Sequence, residues 1–492
     1  MQTNIACPRK ETPRLHKLLL SPVYAIIAGF FVVAPDAVFA VGFDQLGVLN
    51  GPQEAAADTW QGIDDPTTGQ RPAIDPSLPN AGLCQRMNGR QNTEAGVVAL
   101  ASRCAELVET ADPGAISPTL NLGGRPDQVP GWLQQIVPEE AEIMGSGSTD
   151  TSHDQLANIG SRLQFLRTGA STLAVSGIHL TGDSFTGGAA GADDYSRWGL
   201  FINGSYGSGD KDQTFNEAGF DYDAYGITAG VDYRINEALV TGIAVGFSKS
   251  EVEAEDNDDT YDTDGNSIIL YGTYFREFFY IEGSLTYGTY EHEGERNIAY
   301  GMGDRRIVRS ATSDTDSDQL AWSAAAGYNN SIDRFNYSLF VRAEGIDVDI
   351  DAYDERGSGN PDAVGGNEWA MRVEDQEIES LQLVLGGQLA YAFSANFGVI
   401  QPYLSAEAHH EFEDDERTVR SFYLNDPFFI DGDRSFPVEL TTDEPDEDFF
   451  VISVGASFVL KGGNQFFVNY DALVGLDDVG SQAVTVGVRF EL

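Results

Sequence analysis

Residues 484–492 read VTVGVRFEL and alternate between apolar side chains and polar or small ones. This period of two is typical of a β-strand with one apolar face, because successive strand side chains point to opposite sides. The pattern predicts a strand near the C-terminus. Its apolar face would carry Val484, Val486, Val488, Phe490 and Leu492.

The same alternation recurs in twelve segments, and every second connection between them is short, whereas most of the others are long and acidic. Short turns at one rim and long loops at the other are typical of outer-membrane β-barrels. We therefore predict an all-β fold, a twelve-stranded antiparallel transmembrane β-barrel over residues 196–492, with a soluble β-sandwich as the alternative. The strands are expected near 196–206, 220–235, 238–250, 266–276, 278–291, 316–329, 334–349, 377–393, 396–411, 448–461, 463–474 and 481–492, and the long loops at 207–219, 251–265, 292–315, 350–376 and 412–447.

Charge limits the possible partners. The chain of 492 residues has 29 Lys and Arg against 77 Asp and Glu, a net charge of −48. Nucleic-acid binding is not expected, because neutralising phosphates requires clustered basic residues. The 54 glycines and 20 tyrosines favour a protein rich in turns and strands.

The N-terminus predicts export. Residues 1–40 combine basic residues, an apolar stretch interrupted by Pro22, and small residues near position 40, as a secretory signal peptide does. Cleavage is expected between Ala40 and Val41, and an uncleaved anchor helix is the alternative. We place the export route in the Sec machinery.

The region 41–150 is predicted to be largely linker. Segments 50–82 and 110–150 are rich in Pro, Gly, Asp and Thr, whereas 83–109 has helical periodicity. In an oxidising compartment the two cysteines of this region, Cys84 and Cys104, are expected to form a disulfide that clips a helical hairpin.

Residues 152–168 change to a helical period, with Ser152 and Gln155 as a capping box and Gly169 as the stop. We predict that this helix lies in the barrel lumen within a segment, 151–195, that also contains the connector to the barrel. A surface helix in a linker is the alternative. Its apolar stripe would be Leu156, Ile159, Leu163 and Leu166, and its Arg162 and Arg167 would meet the lumen carboxylates Asp232, Glu282 and Glu407.

Several stretches resemble the β-domain of autotransporters over residues 155–492: QLANIGSRLQFLRTGA at 155–170, WGLFING at 198–204, GFDYD at 219–223 and GVDYR at 230–234. The resemblance implies a twelve-stranded barrel, a pore-spanning helix and secretion of a passenger, here the short region 41–150. Family members usually end in an aromatic residue read by the barrel-assembly machinery, whereas this sequence has Leu492 with Phe490 in phase. Many are cut at an Asn-Asn pair in the helix; Asn158 stands alone, so this cleavage is not predicted.

Chemical motifs are weak. Gly182-Asp183-Ser184-Phe185 is similar to a block of one lipase family, but no domain follows it, so we predict that the protein is not an enzyme and needs no cofactor. No metal site is predicted: the sequence 409–411 (HHE) lies at a strand end, and the acidic stretch 256–265 departs from a calcium loop. Loose binding of divalent cations by the acidic loops is kept as an alternative.

The sequence therefore predicts a monomeric autotransporter in the outer membrane of a Gram-negative bacterium that displays its own N-terminal region at the cell surface. One alternative is a porin-like or adhesive barrel whose N-terminal region stays in the periplasm. A second is a surface esterase that uses Ser184.

Overall fold

The computed structural model describes residues 49–61, 83–87, 95–111, 121–174, 197–255, 258–358, 368–460 and 464–491. The predicted signal peptide with its cleavage site at Ala40 and Val41, the Ser184 segment and Leu492 lie outside the described residues. Among the helices described, none combines the length and the apolar character needed to cross a membrane.

Twelve long antiparallel strands close into a barrel, as predicted. Neighbours along the chain pair with one another, and the last strand pairs with the first, from Gly199 opposite Glu491 to Lys211 opposite Val479. The barrel strands are β1 (Trp198–Lys211), β2 (Phe220–Arg234), β3 (Leu239–Ala254), β4 (Thr260–Arg276), β5 (Phe279–Tyr300), β6 (Ile307–Ile332), β7 (Phe335–Ile350), β11 (Gln376–Tyr391), β13 (Gly398–Glu411), β16 (Asp448–Leu460), β17 (Gln465–Val474) and β18 (Val479–Glu491). The short strands are β8 (Tyr353–Asp354), β9 (Arg356–Gly357), β10 (Met371–Val373), β12 (Phe393–Ala395), β14 (Thr418–Tyr423) and β15 (Val438–Thr441).

The two faces of the wall differ in chemistry. On β18, Val484, Val486 and Phe490 point outward and are exposed, whereas Thr485 between them is buried on the lumen side. The same division holds around the barrel, and it suits lipid outside and a polar lumen inside. Outward apolar residues include Leu200, Ile202, Ile227, Ile243, Val245, Ile268, Leu270, Ile281, Leu285, Leu339, Val341, Leu385, Leu404, Ile452 and Val454.

Some strands continue beyond this apolar belt. On β5 the outward side chains change from Leu285 and Tyr287 to Glu291, Glu293 and Glu295 within a few residues. The predicted loops at 251–265 and 292–315 are therefore mostly strand, and that prediction is wrong. Their outward residues are polar because this part of the wall lies outside the apolar belt, and their inward residues pack against a second layer.

That second layer is a domain at the long-loop end, which we call the cap. It comprises the described residues of 49–139 and the connections 351–375 and 412–447. Its helices are α1 (Gly51–Gln61), α2 (Leu83–Met87), α3 (Ala95–Ala111), α4 (Val129–Gln134) and the short α6 (Pro427–Ile430), and its four-stranded sheet has the order β15-β14-β10-β8.

Two predictions for the segments that form the cap are wrong. Segments predicted as linker at 50–82 and 110–150 contain helices, and segments predicted as long acidic loops at 350–376 and 412–447 contain the sheet. A local signal for α1 is present in the sequence: the Asn50 side chain accepts from the Gln53 backbone N–H at 3.0 Å, and the Gln53 side chain accepts from the Asn50 backbone N–H at 3.3 Å. This reciprocal pair is a capping box.

A disulfide links α2 to α3 within the cap. Cys84 and Cys104 are bonded, with Cα atoms 5.7 Å apart. Cys104 is buried beside Leu100 and Leu107, which are fully buried in the cap core. The bond restricts a small helical unit that has little apolar surface of its own to bury.

A single long helix, α5 (Glu140–Ala174), connects the cap to the barrel lumen. It begins twelve residues before the predicted start at 152 and continues past the predicted stop at Gly169, so both predicted ends are wrong. Glu140 and Glu142 in its first turn favour a helix start there. Gly145 allows close packing, since a Cβ at this position would lie 2.6 Å from a guanidinium nitrogen of Arg417.

Deleting residues 481–492 tests the closure of the barrel. The deletion removes nearly all of β18 and leaves β1 and β17 with unpaired edges, which a bilayer does not tolerate. We expect no heat-modifiable barrel in the outer-membrane fraction, measured by gel mobility with and without boiling. Deletion of 361–366, between two strands of the cap sheet, should leave the barrel intact; a normal barrel after the first deletion would contradict the role of β18.

Candidate functional site

The lumen of the barrel is occupied by the second half of α5. Ile159, Leu163 and Leu166 are buried there on one helix face. They form a cluster with Phe201, Val240, Ala244, Ile269 and Tyr271, which line the inside of β1, β3 and β4. Leu156, the first residue of the predicted stripe, is buried in the larger cluster that continues into the cap. The helix is thus attached to one side of the wall by its apolar face.

A buried ion pair fixes the same face. Arg162 donates to Asp232 of β2 through Nε at 3.0 Å and through Nη2 at 2.6 Å, and both side chains are 2% exposed. The Tyr271 hydroxyl donates to the same carboxylate at 2.8 Å, and Arg162 lies over the Phe201 ring at 4.8 Å. A bidentate pair of this kind fixes both distance and orientation.

The other predicted lumen charges are placed differently. Glu407 of β13 accepts from Arg342 of β7 at 2.7 Å, a partner that the sequence did not indicate. Glu282 lines the lumen cavity described below. Arg167 lies within α5, and its side chain is outside the described residues.

Polar contacts complete the attachment of the helix. Asn158 donates to Ser205 Oγ at 3.1 Å, and Gln155 accepts from Ser267 Oγ at 2.5 Å. The predicted capping role of Gln155 is therefore wrong, because its side chain reaches across to the wall. Such contacts satisfy polar groups that would otherwise be buried without partners.

The opposite side of the lumen is open. A cavity of about 1220 Å³ lies between α5 and the wall, and most of the wall residues that line it belong to β7, β11, β13 and β16 to β18. Its lining includes Glu282, Glu344, Glu407, Glu411 and Asp471 against a few basic groups such as Arg342. The helix therefore fills only part of the pore, and the remaining space is strongly acidic.

A second buried charge cluster joins α5, the wall and the cap. Arg296 of β5 donates to Glu355 at 2.6 Å through Nη2 and lies 3.3 Å from Glu140, and all three side chains are almost fully buried. Burial lowers the pKa of Arg296, but Glu355 and Glu140 outweigh that effect and the pKa is raised. Burial raises the pKa of Glu140 well above its ordinary value; Arg296 opposes this increase, and Glu355 and Asp259 add to it.

One group of possible metal ligands is present among the described residues. Ligand atoms of His410, Glu447 and Asp448 lie within 4.8 Å of one another, with His410 Nδ1 2.9 Å from Asp448 Oδ1. The two carboxylates are exposed at the rim, where acidic groups are common without an ion.

The chain matches a family model and several known proteins. The family model described as Autotransporter beta-domain matches residues 200–471. The chain is 28% identical over 300 residues to Esterase EstA of Pseudomonas aeruginosa and, to the same extent, to that of Pseudomonas putida; the match covers 60% of this chain and 43% of each relative. Among solved structures, the translocator domain of autotransporter NalP from Neisseria meningitidis matches with a TM-score of 0.49 and 15% identity, over 70% of this chain and 98% of that one.

The closed barrel with α5 in its lumen, together with the family match, identifies an outer-membrane translocator. Because the family model matches more than half of the chain, the protein belongs to the autotransporter β-domain family. It is a translocator of the outer membrane of a Gram-negative bacterium, and barrels of this family depend in general on assembly machinery.

One prediction from the sequence is wrong. The chain was expected not to be an enzyme, but relatives that it matches over 60% of its length are named esterases. The chain spans 43% of the length of these relatives. The lack of a familiar motif is therefore not grounds for excluding catalysis.

Arg162→Ala should loosen the helix in the lumen. Arg162 is the close basic partner of Asp232, with Arg489 farther away at 3.6 Å, and breaking a buried pair destabilises by about 3 to 5 kcal/mol. We expect larger and noisier single-channel conductance in planar bilayers and a lower melting temperature of the folded protein.

Two further variants make this test specific. Ser161→Ala, on the side of α5 that lines the cavity, should change neither measurement. Combining Arg162→Ala with Asp232→Asn should recover part of the lost stability, because the buried side chain that loses Arg162 is then neutral. Conductance and melting temperature of Arg162→Ala equal to those of the wild type would contradict the anchoring role.

Asp259, between β3 and β4 at the long-loop end, makes the stability of the protein depend on pH. Burial raises the pKa of Asp259 to about 6 from 3.8, although the backbone N–H of Asn297 and Arg296 favour its charged form; Glu355 and Asp258 add to the increase. The folded state therefore binds more protons than the unfolded state between these values, and stability falls as pH rises from 3.8 through 6.

Asp259→Asn should consequently be more stable than the wild type at pH 8 and lose this advantage at pH 4. The denaturation midpoint, followed by fluorescence of the buried Trp60, Trp132 and Trp369, measures the difference. Asp304→Asn, at an exposed position in the connection between β5 and β6, is the control. A stability difference that does not change with pH would refute the assignment.

Proposed function

We propose that this translocator carries its own region 41–150 to the cell surface and keeps α5 in the lumen after transport. The observation that carries the proposal is the direction of α5. The helix leaves the cap at Glu140 and ends at Ala174, and β1 then begins at the short-turn rim. Whatever precedes α5 therefore lies at the long-loop end, which faces outward in outer-membrane barrels.

Length and contacts support this arrangement. At 1.5 Å per residue, 35 helical residues extend roughly 50 Å, enough to pass through the barrel. At the long-loop end the N-terminal region bonds to the barrel connections: Gly51 donates to the Phe215 carbonyl at 2.8 Å, and Met302 donates to the Leu122 carbonyl at 2.9 Å. These contacts do not fit a region that remains in the periplasm.

The same arrangement leads to proposals for the export route, the oligomeric state and the binding partners of the chain. Export through the Sec machinery would bring the chain to the periplasm, and the barrel would insert with β18 as its assembly strand. A monomer is the proposed state, because pairing of β18 with β1 leaves no unpaired edge among the described barrel strands. The proposed lipid contact is the outward apolar belt, and the acidic rim would bind divalent cations loosely.

An epitope tag inserted within residues 66–69, between α1 and α2, tests surface display. We expect antibody to label intact cells, because this segment joins two helices of the cap. A tag in residues 461–463, which connect β16 to β17, is the matched control and should be labelled only after the outer membrane is opened. Labelling of the first tag only in opened cells would instead support the barrel with a periplasmic N-terminal region.

A second candidate function is ester hydrolysis, which the names of the esterase relatives favour. The purified full chain would be assayed with p-nitrophenyl butyrate, and Ser184→Ala compared with Thr181→Ala. Hydrolysis that Ser184→Ala abolishes and Thr181→Ala retains would support it. A rate equal to that of buffer would reject it.

A further inference from the structure

We propose that the N-terminal region is not a releasable passenger: residues 49–111 stay docked on the barrel as part of the cap, even when the chain is cut between them and α5. This inference rests on the proposed surface display of the region. It goes further, because it assigns the region a fixed binding partner, the two longest connections of its own barrel.

The centre of the interface is aromatic. Trp60 of α1 is fully buried, and its ring centroid lies 5.4 Å from that of Trp369 and 5.1 Å from that of Tyr423. Its indole N–H donates to the Tyr423 hydroxyl at 3.1 Å, and that hydroxyl donates to the Ile136 carbonyl at 3.0 Å. A buried Trp with its N–H satisfied in a pocket is typical of residues that dominate an interface.

Polar contacts surround this centre. Thr59 Oγ1 lies 2.7 Å from the Pro437 carbonyl and donates to it. Arg103 of α3 donates to Glu368 at 3.2 Å, and Arg309 of β6 donates to the same oxygen at 3.3 Å. The Glu368 side chain is fully buried, so removing Arg103 would leave it short of one of its two guanidinium partners.

The two halves of the cap share one apolar core. The cap sheet has strands of two to six residues, at the short end of the range for globular proteins. Its buried Met371, Val373 and Leu440 belong to the same apolar cluster as Leu100 and Leu107 of α3. Release of residues 49–111 would expose both sets of side chains to water, which the hydrophobic effect opposes.

The disulfide does not contribute to this retention. Cys84 and Cys104 both lie in 49–111, so their bond crosslinks the fragment internally and not to the barrel. A fragment cut from α5 can stay on the cell only through non-covalent contacts. The share of the cut fragment that stays on the cell therefore measures non-covalent docking directly.

The experiment places a tobacco etch virus protease site in the full chain in place of residues 113–119, with the epitope tag at 66–69. Intact cells are treated with the protease, sedimented, and probed for the tag in pellet and supernatant. We expect the cut fragment in the pellet, and its release by urea. A cut wild-type fragment that appears in the supernatant without denaturant would overturn the inference.

Matched variants locate the docking contact. Trp60→Ala should shift most of the cut fragment to the supernatant, and Thr59→Val should shift a smaller part. Val98→Ala, at an exposed position on α3, should leave it in the pellet. Heat-modifiable barrel in each strain verifies that the translocator is folded, and equal retention for Trp60→Ala and Val98→Ala would also count against the interface.

Failure of the underlying surface display gives a different result. In that case the protease would cut the chain only after the outer membrane is opened. This result does not depend on whether the cut fragment is then found in the pellet or in the supernatant. The share of the cut fragment that stays with the membranes is therefore measured in opened cells as well. It reports on docking whether or not the region is displayed at the cell surface.

Discussion

Hydrogen bonding of the backbone in lipid is the constraint on which the structure depends. A bilayer offers no partner to an unpaired N–H or C=O group, so a sheet within it must close. Here closure is achieved when β18 pairs with β1 along thirteen positions from Gly199 to Lys211. The outward apolar belt, the polar lumen and the division of the connections between two rims all follow from that closed wall.

Closure creates a second requirement, because a twelve-stranded barrel encloses a lumen that must be filled or hydrated. One side is filled by α5, whose apolar face and Arg162 match the inside of β1 to β4. The other side remains a cavity with an acidic lining. The ion pair of Arg162 with Asp232 gives orientation to a helix that has few apolar residues, since polar contacts are more directional than apolar packing.

The cap shows a different organisation. Its core joins segments that no local pattern connects: Trp60 and Tyr423 are separated by 363 positions in the chain and share a hydrogen bond. Arg296 and Glu355 bring the wall into the same core, and Glu140 links it to the start of α5. The cap, the wall and the lumen helix therefore share buried groups, and the N-terminal region has the character of a structural part of the translocator.

The sequence by itself determined the barrel, its twelve strands and the helical character of 152–168, because alternation along a long strand and a helical stripe are local patterns. Only the tertiary structure decided the true ends of α5, the partners of Gln155 and Glu407, and the existence of the cap. Its short strands and scattered aromatics, such as Trp369, lie in acidic segments that resemble solvated loops. Their burial comes from contacts with residues distant in the chain, which periodicity within one segment does not encode.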